Sequence, residues 1–336
     1  MKKTEVKSIN ALMKHLRKNA VHITGSKGKN DLRNIGYYHG YKGYRFYNEA
    51  ANKIPYTDFV QVKVIYDFDM KLKAWFYPLI MTIETALKNR VLECTLKSSG
   101  SADFVDVFAK ALNAYKDSPK GSGDYKDKLK NKHSLREKIY EVIANNISSS
   151  AIVQHFYYND QPVPLWAIFE LITLGEFGNF YRALNKDIKL EICDGLQIDR
   201  GYNTSGEMLT HIIFALRSLR NAIAHNKPIF DVRFKEQKSP LTFFHYLSKE
   251  LGLPKVNPYY GHTTEIKFEQ LIDYCLLVVF LLKRLGVSKT ELMQHVKSFE
   301  SLYGSLKAKV PGKIYATLVP ISIDNKIEFL KTWIKR

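Results

Sequence analysis

The chain has 336 residues, 45% hydrophobic and 25% charged, proportions of an ordinary globule long enough for a large core with appendages. No apolar run approaches the ~20 residues of a membrane span. The three cysteines, Cys94, Cys193 and Cys275, lie far apart with no CxxC pair and no histidine spacing for zinc, which excludes a metal framework and points to buried thiols. Lys and Arg number 51 against 33 Asp and Glu, a net charge of +18. That excess attracts polyanions, with nucleic acid the leading partner class and a generally basic proteome the bland alternative.

In chain order, the first segment is basic. Residues 1–33 hold nine Lys and Arg against Glu5 and Asp31, so 1–35 reads as a basic arm with a helix. It has the lysines of a signal peptide without the apolar stretch or cleavage site, so a cytoplasmic, unprocessed chain is expected. "GSKGK" (25–29) resembles a P-loop only superficially: Ile23 stands where the first glycine belongs, and no Ser or Thr follows Lys29. Next, "YYHGYKGYRFY" interleaves Tyr37, Tyr38, Tyr41, Lys42, Tyr44, Arg45 and Tyr47. Rings that stack on bases beside cations that follow phosphates suit single-stranded RNA, whereas the same tyrosines equally serve to pack a bundle.

Residues 64–99 carry apolar side chains at helical spacing through Leu72, Trp75, Phe76, Leu79, Ile83, Leu87 and Val91, with Pro78 an expected kink. "KDSPKGSGDYKDKLKNKHS" (116–134) lacks periodicity and reads as an exposed, flexible excursion. Residues 162–184 suggest two short helices broken near Gly175 or Gly178. Further helices are expected over 207–227, 265–286, 288–303 and 323–335, and a single strand over "IYATLVPISI" (314–323). The fold class is mainly α, a helical bundle with few or no strands. Glu84 and Glu170 sit on otherwise apolar faces and need partners, an arginine such as Arg90 or Arg220 being suited.

"LRSLRNAIAHNKP" (216–228) is the most informative stretch. Ile212, Leu216, Leu219 and Ile223 fall on one buried stripe, and Arg217, Asn221 and His225 lie opposite it. Arg220 sits at the border, roughly 140° from His225 on an ideal wheel. Pro228 places His225 in the last turn, where the helix dipole favours imidazolium. A histidine there either caps carbonyls or exchanges protons with a substrate.

"RNAIAHN" resembles the RxxxxH signature of HEPN-superfamily ribonucleases. Three further stretches are similar to blocks of the Abi-like abortive-infection proteins: "LRNIGYYHGYKGYRFY" (32–47), the block around Tyr-x-Phe-Asp in 59–91, and "PLWAIFELITLGEFGNFYRAL" (164–184). They run in the family's order over about residues 8–235, with His39 where the family usually has arginine. The resemblance implies a HEPN-type helical core over 36–235, with 236–336 a C-terminal helical extension packed on it. It also implies phage defence, RNA as substrate and in some members a structured RNA partner, and a homodimer whose RxxxxH helices form one composite site. No metal or other cofactor and no membrane contact are implied.

On that reading His225 exchanges protons, Arg220 neutralises phosphorane charge and Asn221 supports either, because the 2′-OH of RNA is a nucleophile already in place. Acid and base together want two histidines, so the chemistry itself argues for two copies. Arg217, Lys227, Tyr38, Lys42, Tyr44 and Arg45 are the expected RNA contacts. A non-catalytic RNA-binding protein and a protein-interaction module are the alternatives.

Overall fold

A computed structural model describes residues 7–235, 240–254 and 265–336. The first residues of the basic arm, Lys2 and Lys3 among them, and two parts of the C-terminal extension lie outside the described residues. Two helices, α1 (Ile9–Lys18) and α2 (Gly25–Ile35), lead into a π-helical segment, Gly36–Lys42, and then the long α3 (Phe59–Ser99). Next come α4 (Phe104–Lys110), a 3-10 turn (Ala114–Asp117), α5 (Gly123–Asn146), α6 (Ala151–Tyr157), α7 (Leu165–Leu171), α8 (Leu174–Ala183) and α9 (Lys186–Gly195). The chain ends with α10 (Met208–Ala224), α11 (Leu241–Glu250), α12 (Leu271–Arg284), α13 (Lys289–Lys307), α14 (Gly312–Leu318) and α15 (Ile323–Lys335). The fold is mainly α, and among the described residues there is no strand, only two isolated bridges.

Three sequence expectations change. The expected strand at 314–323 is instead α14, a loop and the start of α15: Pro311 caps α14, and Ile314 and Leu318, one turn apart, are both buried, so packing overrides β propensity. The expected excursion at 116–134 becomes helix from Gly123, because the Ser122 hydroxyl accepts the Tyr125 N–H and starts α5. The break in 162–184 falls at Ile172 and Thr173, not at a glycine. Thr173 and Glu176 form a reciprocal capping box that starts α8.

The chain forms two compact, discontinuous units. Unit 1 comprises Met1–Leu79, Ser218–Lys238 and Leu247–Arg336; unit 2 comprises Ile80–Arg217 and Ser239–Tyr246. In unit 1, α12 is buried on every side from Leu271 to Leu282, the pattern of a helix at the centre of a bundle. It packs against α13 and α15. Aromatic rings join α13 to the first half of α3: Trp75 lies 4.9 Å from Phe299 and Phe68 5.1 Å from Tyr303, and the Trp75 indole donates to the His295 carbonyl at 3.1 Å. A buried ion pair, Lys326–Asp273 at 2.5 Å, crosses from α15 to α12.

In unit 2, α5 packs on α7 and α8. Gly178 of α8 lets α10 approach closely: a β-carbon there would meet Phe214 at 3.0 Å and Ile213 at 3.1 Å. Tyr181 is fully buried and donates to the Gly206 carbonyl at 2.7 Å. Lys189, 2% exposed, pairs with Glu207 at 2.6 Å and donates to the Arg182 carbonyl. No helix among the described residues is long and apolar enough to cross a membrane.

Candidate functional site

The site develops where α10 stops, within unit 1. The sequence expectation carried this helix to residue 227, but it ends at Ala224. Asn226 takes a left-handed conformation, φ 51°, which asparagine tolerates better than most residues. The Lys227 N–H reaches back to the Ala222 carbonyl at 2.8 Å and the Asn226 N–H to Ile223 at 3.0 Å, the paired closure of a Schellman turn. Pro228 then prevents continuation. His225 is therefore the capping residue: its N–H still bonds to the Asn221 carbonyl at 3.0 Å, and its side chain is exposed.

A buried polar network fixes this turn. Lys73 of α3 donates to Asn226 Oδ1 at 2.8 Å and pairs with Asp69 at 2.8 Å. Asp69, with no exposed surface, accepts from the Ile229 and Phe230 N–H groups at 2.8 and 2.9 Å and from the Tyr44 hydroxyl at 2.7 Å. Burying a carboxylate is costly unless charge and hydrogen bonds compensate, and here one cation and three donors do. A second buried carboxylate, Asp231, accepts from the Asn48 N–H at 2.9 Å and pairs with Arg233 at 2.6 Å. Burial raises its pKa, and Arg233 opposes that rise. Arg233 also donates to the Gly43 carbonyl, and a β-carbon on Gly43 would lie 3.6 Å from the Pro228 ring. The two segments singled out from the sequence, 37–47 and 216–228, are thus brought together.

Their residues have different fates. Arg220 is half-buried and donates to Asn221 Oδ1 at 3.4 Å, while the His225 side chain is exposed one turn beyond Asn221. Lys227 is exposed. Tyr38 is 74% exposed, with the Lys42 ammonium 4.8 Å from its ring centre, an arrangement open to a base or phosphate. Arg45 lies 5.9 Å over Phe46. Tyr44 is a correction: it is completely buried, stacked 5.5 Å from Phe230 and bonded to Asp69, so it cannot stack on RNA. Burial and the Asp69 charge push its pKa far up. Arg217 belongs to unit 2, where its guanidinium lies 4.9 Å over Phe214 and its stem would meet a β-carbon on Gly175 at 3.2 Å. His39 lies edge-on to Tyr66, and its pKa is lowered by burial and by Lys73, with Asp69 opposing.

The glutamates also separate. Glu84 is buried in unit 2 and pairs with Lys88 at 3.2 Å, so a lysine one turn on, which the sequence reading passed over, holds it. Glu170 is exposed and is no core carboxylate. Asp69, Lys73, Asn226, Asp231 and Arg233 were not singled out from the sequence. The available signal was the Tyr-x-Phe-Asp block with a lysine four residues after Asp69.

A family model described as Abi-like protein matches residues 30–231, more than half of the chain. The match spans the tyrosine segment, the Asp69 helix and the α10 turn. No curated protein and no solved structure matches the chain.

Proposed function

The chain belongs to the Abi-like protein family, which suggests a role in abortive infection against phage, and we propose that it acts there as an endoribonuclease of the HEPN type. The observation that supports this is the exposed His225, seated on a turn anchored by Lys73 and Asp69, with the Arg220 guanidinium bonded to Asn221 one turn before it. Such anchoring fixes the backbone from which a proton-transferring side chain projects, one part of the preorganisation that catalysis requires.

In the proposed reaction the RNA 2′-OH attacks the adjacent phosphorus. The new O2′–P bond forms as the P–O5′ bond breaks, leaving a 2′,3′-cyclic phosphate and a 5′-OH. One histidine takes the 2′ proton and another delivers a proton to the departing O5′, each worth ~10² to 10⁴ in rate. Arg220 stabilises charge on the phosphorane oxygens, and Asn221 orients its guanidinium. A second copy of the chain supplies the second His225, so the active species is a homodimer.

The test is incubation of the purified protein with labelled single-stranded RNA in chelator. Cleavage that falls by at least ~10² in His225→Ala, drops in Arg220→Ala and declines per chain on dilution is the expected result. Equal cleavage by wild type and His225→Ala would remove His225 from the mechanism. A second reading, an RNA-binding protein without cleavage, is favoured by the exposed Tyr38–Lys42 pair and the net charge of +18. It predicts salt-sensitive RNA binding and intact RNA in the same assay.

A further inference from the structure

Unit 2 contains a second cationic group that plays no part in the chemistry above. Lys132 of α5 is only 6% exposed, yet no carboxylate lies within ion-pair distance of it among the described residues. Its ammonium donates to Asn113 Oδ1 at 2.9 Å and lies 4.2 Å from the Phe108 ring centre and 5.3 Å from that of Tyr115. The nearest charges deepen the problem. Arg136, one helical turn further along α5, lies 5.1 Å over the same Phe108 ring, and Lys116 lies 5.9 Å from Tyr115. Neither has an acidic partner within ion-pair distance among the described residues. Burial first, then Lys116 and Arg136, push the Lys132 pKa down to about 8.

Three like charges around two aromatic rings, one of them buried, oppose folding unless an anion joins them. The surface alongside Arg136 is aromatic. Phe104, Val105, Phe108, Arg136 and Tyr140 line an open cavity of about 210 Å³, with Tyr140 48% exposed. His133 meets Phe108 edge-on.

We propose that Lys116, Lys132 and Arg136 form a phosphate-ester site, with Phe108 and Tyr140 stacking the attached base, and that its occupant is a nucleotide of single-stranded RNA. Cations following a phosphate beside stacking rings are the pattern of single-strand binding. The site holds RNA rather than cuts it, so it stands or falls by affinity and not by cleavage.

The experiment uses full-length His225→Ala protein, which keeps the RNA intact under the nuclease reading, and follows binding of a fluorescent single-stranded RNA by anisotropy across a salt series. Lys132→Met and Arg136→Gln, each added to that background, should weaken binding severalfold. Each should also flatten the slope of log affinity against log salt by about 0.7 per lost phosphate contact. Lys132→Met removes an uncompensated buried charge, so its melting temperature should hold or rise, separating lost contact from lost fold. AMP and inorganic phosphate serve as the alternative occupants. If they raise the melting temperature of the parent but not of the Lys132 variant while RNA affinity is equal in both, the site takes a free phosphate ester and the RNA assignment is overturned. If the double variant binds RNA with parental affinity and salt slope and neither small anion stabilises the parent, the site itself is overturned.

Discussion

Asp69 and Asp67 sit two residues apart on α3, and each has a lysine one helical turn away, yet they differ completely. Asp67 pairs with Lys63 at the surface, half exposed; Asp69 pairs with Lys73 in the interior and receives Tyr44, Ile229 and Phe230. A surface i,i+4 pair contributes about 0.3–0.5 kcal/mol, whereas removing one partner of a buried pair costs about 3–5 kcal/mol. Asp69→Ala should therefore lower unfolding stability by about 3–5 kcal/mol in urea titrations, and Asp67→Ala by less than about 0.5. Tyr44→Phe should cost about 1.5–3 kcal/mol, the range for a hydrogen bond to a charged group. A Tyr44→Phe protein as stable as wild type would show that this bond contributes nothing net. The Tyr-x-Phe-Asp block was visible in the sequence, and Asp69, between Ile65 and Leu72 at helical spacing, falls on the apolar stripe that Asp67 misses; which distant groups satisfy it was not visible, because Tyr44, Ile229 and Phe230 lie far off in the chain.

At the scale of elements, the close approach of α8 and α10 depends on Gly178. Phe214, which a new β-carbon there would meet, is crowded by the guanidinium groups of Arg182 at 4.7 Å and Arg217 at 4.9 Å from its ring centre. With little room to move, Gly178→Ala should destabilise by about 1–3 kcal/mol, read as a lower denaturation midpoint. Thr173→Ala removes one half of the capping box and should cost about 1 kcal/mol. The glycines attracted attention in the sequence as breakers, while the true break is the Thr173 cap. Glycine within a helix marks a turn or a close contact equally well, and only the neighbouring helix decides. The α10 terminus was legible to within three residues for a related reason. Pro228 sets a latest possible stop, and Asn226 sets the earlier one by adopting φ 51°.

For the molecule as a whole, titration of histidines supplies a pH dependence. His211, packed against Phe243 in unit 2, has its pKa lowered chiefly by burial and further by Arg182, with Glu207 opposing; in unit 1 His39 is lowered by burial and Lys73. A histidine whose folded pKa is depressed binds its proton more readily when unfolded. Its full contribution to stability is present above the ordinary value of 6.5 and is lost as pH falls from there toward the folded value. The melting temperature should therefore be lower at pH 5.5 than at pH 7.5, and His211→Phe should shrink the difference. An unchanged pH dependence in that variant would assign the loss to other groups.

The sequence alone determined the helical class, the family blocks in their order and the polar group at the end of α10. These are local properties, set by 3.6-residue periodicity, by stop signals and by spacing within a turn or two. The tertiary structure decided that Tyr44 is a core residue, that Asp69 and Lys73 hold the His225 turn, and that Lys132 is buried among cations. Burial sums contributions from residues far apart in the chain. Tyr44, Asp69 and Phe230 meet across more than 180 positions, a convergence that no short window of sequence contains.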